Sequence, residues 1–357
     1  TLNSPLKPNV KKLNKYLERI NDNGWHTNFG PLHTELTEKL ESYLNVKNLL
    51  LVNNGTAALQ VAGRTLGSES ILATPFSFVA TVSAFKWQKN EVAFADIDRA
   101  SYNLCPKAVA SAYQKGCKAD TLLATHVYGN PCNVIAFDKL SQEKDFRIIY
   151  DAAHAFGVRL AGQSILNYGD ASTLSFHATK IFHTAEGGAI VFKERTDFDK
   201  AKQIINFGIH PGQGVVNVGI NAKLNEYQAA IGLVNLEQID NILTHRAELF
   251  HHYRNNLKDI VELPVWHPEA SANGAYMPIK LKDSKQLAKV MLALDKNNIQ
   301  SRHYFTPSLS KTFVDNFNYG VGYSHEVSEG ILCLPMHYYL SVNSVFKIIN
   351  CIKNSLL

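Results

Sequence analysis

Residues 49–73 read LLLVNNGTAALQVAGRTLGSESILA, and this stretch decides the fold. Leu49-Leu50-Leu51-Val52 is a short apolar strand, Asn53-Asn54-Gly55-Thr56 interrupts it, and Thr56-Ala57-Ala58-Leu59 starts a helix. Ser70-Ile71-Leu72-Ala73 is the next strand. The alternation continues outward. A helix from about Phe78 to Trp87 is followed by strands at Val92-Ala93-Phe94, Thr121–Ala124 and Ile148-Ile149-Tyr150, with shorter strands at Thr173–Ser175 and Ala189–Phe192. Strands that are apolar throughout and separated by helices imply an α/β fold, its mostly parallel sheet covered on both faces.

On the N-terminal side, Val10, Leu13, Leu17 and Ile20 recur at helical spacing, and Thr34 offers a cap for a second helix running to about Leu44. On the C-terminal side, Gly208–Gly219 reads as a long loop. A helical stretch with Leu224, Tyr227, Ile231 and Val234 on one face then leads to a hinge near Ile242. The chain therefore divides into a large domain, 1–242, and a small α+β domain, 243–357. The small domain has strands near Ala275–Met277 and Ile299–Ser301 and helices near Gln286–Leu294 and Val342–Ile352.

A chain of 357 residues, 45% of them apolar, is long enough for that organisation. The net charge of +5 is spread without a Lys/Arg run, which suits an anionic small ligand and gives little support to nucleic-acid binding. No apolar run reaches the roughly 18 residues a membrane span needs. The five cysteines lack CxxC spacing, which disfavours a zinc site or a disulfide framework and fits a reducing cytoplasm.

The chemistry centres on Lys180 in LSFHATKIFHTAEGGAI, residues 174–190. A lone lysine is by default a solvated cation. Upstream, RIIYDAAHAFG places Asp151 at the carboxyl end of a strand, where ligands of parallel sheets bind. It is either a helix N-cap or a desolvated carboxylate that needs a partner. Asn53–Thr56 is either a plain capped turn or a helix terminus whose free N–H groups suit a phosphate. Phe78, past another strand end, either packs in the core or stacks on a planar ring. No GxGxxG follows a strand and no GxxxxGK or HExxH occurs, which disfavours dehydrogenases and P-loop enzymes. A Schiff-base lysine, an acid for a pyridinium nitrogen, a stacking aromatic and a phosphate turn with a nearby serine are together what pyridoxal 5′-phosphate (PLP) requires.

The motifs NNGTAAL, TPFSFVAT, HVYG, DAAHAFG, SFHATKIFHTAEGG, GINAKLNEYQAAIG and LCLPMH, in this order from about Trp25 to Leu340, resemble the DegT/DnrJ/EryC1/StrS sugar aminotransferases. The resemblance implies the fold-type I PLP architecture, similar to that of aspartate aminotransferase. It implies that Lys180 forms the Schiff base and shuttles the proton, that Asp151 pairs with the pyridine nitrogen, and that His154 lies close to the ring hydroxyl. Phe78 would stack on the ring, and Gly55, Thr56 and Ser175 would bind the phosphate. Asn221 would reach the phosphate of a neighbouring subunit, so that a homodimer shares its active sites. Leu36-Thr37 departs from the Phe-Glu of many members. The implied reaction uses L-glutamate to aminate a nucleotide-linked keto-sugar for a cell-surface glycan such as O-antigen. The favoured substrate is dTDP-4-keto-6-deoxy-D-glucose, with 3-keto isomers as the alternative, and His183 and Tyr304 are expected to face sugar or nucleotide. A non-catalytic PLP-binding regulator and another PLP reaction, such as desulfuration or aldol cleavage, are the rival readings.

Overall fold

The computed structural model describes all 357 residues. Helices α1 (Val10–Asn23) and α2 (Pro31–Leu44) precede β1 (Leu49–Val52), α3 (Gly55–Leu66), β2 (Ser70–Ala73), α4 (Val79–Trp87), β3 (Glu91–Phe94), α5 (Pro106–Gln114), β4 (Thr121–Thr125), α6 (Val134–Lys144) and β5 (Arg147–Asp151). The small hairpin β6–β7 (Arg159–Leu160, Gln163–Ser164), then β8 (Ala171–Ser175), β9 (Gly188–Phe192) and α7 (Arg195–Ile204) follow. Next come the hairpin β10–β11 (Ile209–His210, Gly214–Val215), α8 (Glu226–Leu236) and α9 (Ile239–Leu257). The chain ends with β12 (Met277–Lys280), α10 (Ser284–Lys296), α11 (Leu309–Thr312), β13 (Phe317–Asn318), α12 (Gly322–Gly330), β14 (Ile331–Leu334) and α13 (Val342–Leu356).

The apolar strands assemble as expected into one eight-stranded sheet, in the order β1-β9-β8-β5-β4-β2-β3-β13. Pairs from β8 through β5, β4, β2 and β3 to β13 are parallel, and β9 runs antiparallel to both β8 and β1. One face is covered by α1, α2, α5, α6 and α8, with Leu36, Leu40, Val109, Phe137 and Leu233 among the buried residues. The other is covered by α3, α4 and α7 through Val61, Val82, Phe85 and Ile204. A third core lies among α9, α10, α13, β12 and β14, where Leu249, Val290, Leu332 and Ile349 meet.

Local chemistry explains most boundaries. The Asn9 side chain accepts the Lys12 N–H to start α1, and Gly24 ends it at φ 62°, a left-handed conformation glycine adopts without penalty. Four expectations are corrected. Thr34 does not cap α2, which begins three residues earlier at Pro31. The orphan N–H groups of Leu32 and His33 bond instead to the Glu226 carboxylate, 2.8 and 2.7 Å away. No hinge lies at Ile242, because α9 runs through it and the break falls at Glu237–Gln238. Along α9, Ile239 and Ile242 belong to the large-sheet core and Leu249 onward to the third core. Ile299–Ser301 is not a strand. The partner of β12 is β14, which the sequence reading took only as a motif, and residue 302 contributes a single bridge to Cys333. The Gly208–Gly219 loop contains the β10–β11 hairpin.

Candidate active site

A cavity of about 780 Å³ opens where the carboxyl ends of the parallel strands meet the N-termini of α3 and α4. Asp151, Ser175, Lys180, Gly55, Thr56, Phe78, His154 and Tyr304 all line it, although they come from segments up to 249 residues apart. Each sits where its local structure ends. Asp151 is the last residue of β5, Ser175 the last of β8, Gly55 the first of α3, and Phe78 the residue just before α4.

Asp151 is 6% exposed, and burial raises its pKa. Opposing that rise, Oδ2 accepts the Thr81 hydroxyl at 2.7 Å, Oδ1 accepts the Ala153 N–H at 3.1 Å, and Lys180 adds a favourable charge. The Thr81 hydroxyl is itself within 2.8 Å of Ser77 Oγ, which is 3.0 Å from Thr125 Oγ1. No helix follows Asp151, so the N-cap alternative falls and the desolvated carboxylate stands.

Lys180 follows β8 in a tight turn, its N–H donating to the His177 carbonyl at 2.8 Å. Burial lowers the pKa of its amine, with Asp151 and Tyr304 pulling the other way. The amine makes no ion pair within 4 Å, and it stands 6.0 Å from the centre of the Tyr276 ring. His154 is held by the Tyr128 N–H, which donates to Nδ1 at 3.2 Å, and its ring stacks on Phe305 at 5.8 Å. Burial drives its pKa well below the usual histidine range. The ring is therefore neutral, with its proton on Nε2.

The start of α3 is built to hold an anion. Of its first four N–H groups, Ala57 bonds the Asn54 side chain at 2.7 Å and Ala58 the Asn54 carbonyl at 3.1 Å. The Gly55 and Thr56 N–H groups remain without a partner in the chain, at the positive end of the helix dipole and beside Ser175. A Cβ on Gly55 would stand 2.8 Å from the Ser175 Cβ. Gly55→Ala is accordingly expected to weaken cofactor affinity about tenfold or more through a lost backbone contact. Titration of the cofactor-free protein, followed by absorbance, checks this. Unchanged affinity would remove the phosphate from this helix end.

Phe78 is 45% exposed and meets Tyr304 edge-on at 6.2 Å, so it forms a cavity wall and is not a core residue. Asn221 does not line the cavity of its own chain. It is exposed beside Ile220 and Ala222, which do. His183 is a correction. It is 4% exposed and outside the cavity, with Nε2 2.9 Å from the Leu6 carbonyl, Nδ1 accepting the Ala185 N–H at 3.2 Å, and its own carbonyl taking Asn235 Nδ2 at 2.9 Å. Its ring ties the N-terminal segment to the turn after Lys180. Thr81, Tyr276 and Glu186, which the sequence did not single out, also stand in the cavity wall, and Arg302 lines it beside Tyr304. Thr81 stands inside a motif already noted, and three residues past Phe78 on the new helix is a spacing that turns it towards the same strand ends.

A buried carboxylate, a desolvated and unpaired amine, a neutral ring donor, a free aromatic face and an anion cradle together fit PLP, and the fold and site define a PLP-dependent aminotransferase. The DegT/DnrJ/EryC1/StrS aminotransferase family model matches residues 9–353, and the chain belongs to that family of sugar aminotransferases. It is 37% identical to a dTDP-4-amino-4,6-dideoxy-D-glucose transaminase of Shigella dysenteriae, over 98% of this chain and 97% of the relative. It is 33% identical to the Escherichia coli protein of the same description, over 96% and 95%. The solved structure of DesI in the presence of its TDP-sugar product superposes with a TM-score of 0.92 at 26% identity, over 99% of this chain and 92% of that one.

Proposed function

We propose that this enzyme transfers the amino group of L-glutamate to C4 of dTDP-4-keto-6-deoxy-D-glucose, giving the 4-amino sugar for a cell-surface glycan. The convergence of Lys180, Asp151 and the α3 terminus in one cavity carries the chemistry. The substrate is supported by the 37% identity to a transaminase described by that amino sugar.

When bound, PLP supplies an electron sink for the pair left as a proton leaves the α-carbon of the donor. The Lys180 amine, desolvated and unpaired, would carry that proton from the α-carbon to the cofactor and, in the second half-reaction, would carry one from the cofactor to the sugar carbon. Asp151, with both oxygens already oriented by Thr81 and Ala153, keeps the ring nitrogen charged. His154 donates from Nε2, Phe78 confines the ring at the cavity wall, and the Gly55 and Thr56 N–H groups with Ser175 hold the phosphate. Tyr304 stands opposite Phe78 with the Arg302 guanidinium 4.3 Å from its ring centre, and the pair would bound the nucleotide-sugar.

A homodimer with shared sites belongs to the same proposal. Phe207, Ile209, Val215, Val216, Val218 and Ile220 form an exposed apolar row along the β10–β11 hairpin, next to exposed Asn221. Such a patch is expected to be covered, and light scattering after size exclusion reads the mass. The substrate test offers dTDP-4-keto-6-deoxyglucose and its 3-keto isomer after reaction with L-glutamate, with the product placed by NMR. Nitrogen at C4 is expected. Nitrogen at C3 would overturn the C4 assignment, and no response to any amino donor would favour a regulator.

A further inference from the structure

We propose that His177 and Glu186 form the reader of the sugar hydroxyl next to the carbonyl that is aminated. The inference rests on the nucleotide-sugar reading above. Both side chains line the cavity with Lys180, at 46% and 59% exposure, and His177 Nε2 stands 3.6 Å from Glu186 Oε1.

Each group is fixed in what it can offer. The Thr179 N–H donates to His177 Nδ1 at 3.2 Å, and the Thr179 hydroxyl lies 2.8 Å from the same nitrogen. Nδ1 is thereby the acceptor, so Nε2 carries the proton of the neutral ring and faces the cavity as a donor. Glu186 is pinned through its backbone. Its carbonyl accepts the Thr184 hydroxyl at 2.6 Å and Gln228 Nε2 at 2.7 Å. Its carboxylate takes no hydrogen bond from the chain, and its one close polar neighbour is His177. A donor beside an acceptor complements a hydroxyl, which gives its hydrogen to Glu186 and accepts that of His177. The His177 carbonyl accepts the Lys180 backbone N–H, so the two residues share one turn, and their side chains line the same cavity as Glu186.

The same pair discriminates between the two substrates. L-glutamate brings two carboxylates, which the Glu186 carboxylate repels, whereas the keto-sugar brings neutral hydroxyls. Glu186 should therefore act on the sugar half-reaction and not on the donor half.

The test uses the holoenzyme in single turnovers. The visible band of the bound cofactor bleaches with L-glutamate and returns with the nucleotide-linked keto-sugar. Glu186→Gln, exposed and with its backbone contacts intact, is expected to slow the return about 10- to 100-fold at subsaturating sugar, the scale of one charge-assisted hydrogen bond. Bleaching should stay within about threefold. His177→Phe should repeat the split. An analogue lacking the adjacent hydroxyl should slow the wild type by a similar factor and be indifferent to Glu186→Gln. Equal slowing of both halves, or none, overturns the proposal. A wild type that bleaches with L-glutamate but never returns with a nucleotide-linked keto-sugar overturns the substrate reading, and this inference with it.

Discussion

Lys180→Ala is expected to lower turnover by about 10⁴-fold, the upper end of what a positioned proton-transfer group contributes. The argument is one of environment. Most lysine amines sit in water or beside a carboxylate. This one is inside a cavity with no ion pair within 4 Å, and burial depresses its pKa. A depressed pKa raises the fraction of free amine at neutral pH, which is the form able to attack a carbonyl and then accept a proton. Lys180→Arg separates that role from simple charge. The guanidinium keeps the cation near Asp151 but does not deprotonate. It should be as inactive as the alanine variant, and both should lack the wild-type cofactor band. An arginine variant with more than a few per cent of wild-type turnover would reduce Lys180 to an electrostatic group.

The sheet and most site positions were legible because they rest on local signals. Uniformly apolar strands and helix-capping turns are written within a few residues of the element they specify, and Asp151, Gly55 and Phe78 stand at those ends. What stayed hidden depends on distant partners. The cap of α2 comes from Glu226, 194 residues beyond Leu32. The strand β14 pairs with β12 across 57 residues from Met277 to Leu334. His183 shows the opposite error. Proximity in sequence to Lys180 suggested the substrate, but the turn after β8 reverses the chain and buries the imidazole against Leu6 and Asn235. Three residues of spacing is a face on a helix only, and this segment is a turn.

Asp151→Asn should part activity from stability. The amide can keep both local contacts, Oδ1 with the Ala153 N–H and Nδ2 with Thr81 Oγ1, whose hydrogen turns to Ser77. Turnover is nevertheless expected to fall by about 10²–10³-fold, the range for removing one preorganised electrostatic contact. The cofactor-free protein should respond in the other direction. Burial raises the Asp151 pKa above its ordinary 3.8, so between that value and the raised one the folded chain binds the proton that the unfolded chain has released. Stability contributed by this group therefore declines as pH rises through that window, and the cost of the buried charge persists at all higher pH. Replacing the carboxylate removes that cost. The cofactor-free Asp151→Asn variant should melt no lower than wild type at pH 7, and the difference should shrink as pH falls through the raised folded-state value towards 3.8, below which the wild-type carboxyl becomes neutral in both states. With PLP bound the order should reverse, because the wild-type charge then faces a cationic ring nitrogen and is no longer alone. Melting curves with and without cofactor across pH 4–8 test the reversal. A variant that melts lower in the absence of cofactor would mean that Thr81, Ala153 and Lys180 already satisfy the carboxylate, leaving the ring nitrogen no unmet charge to neutralise.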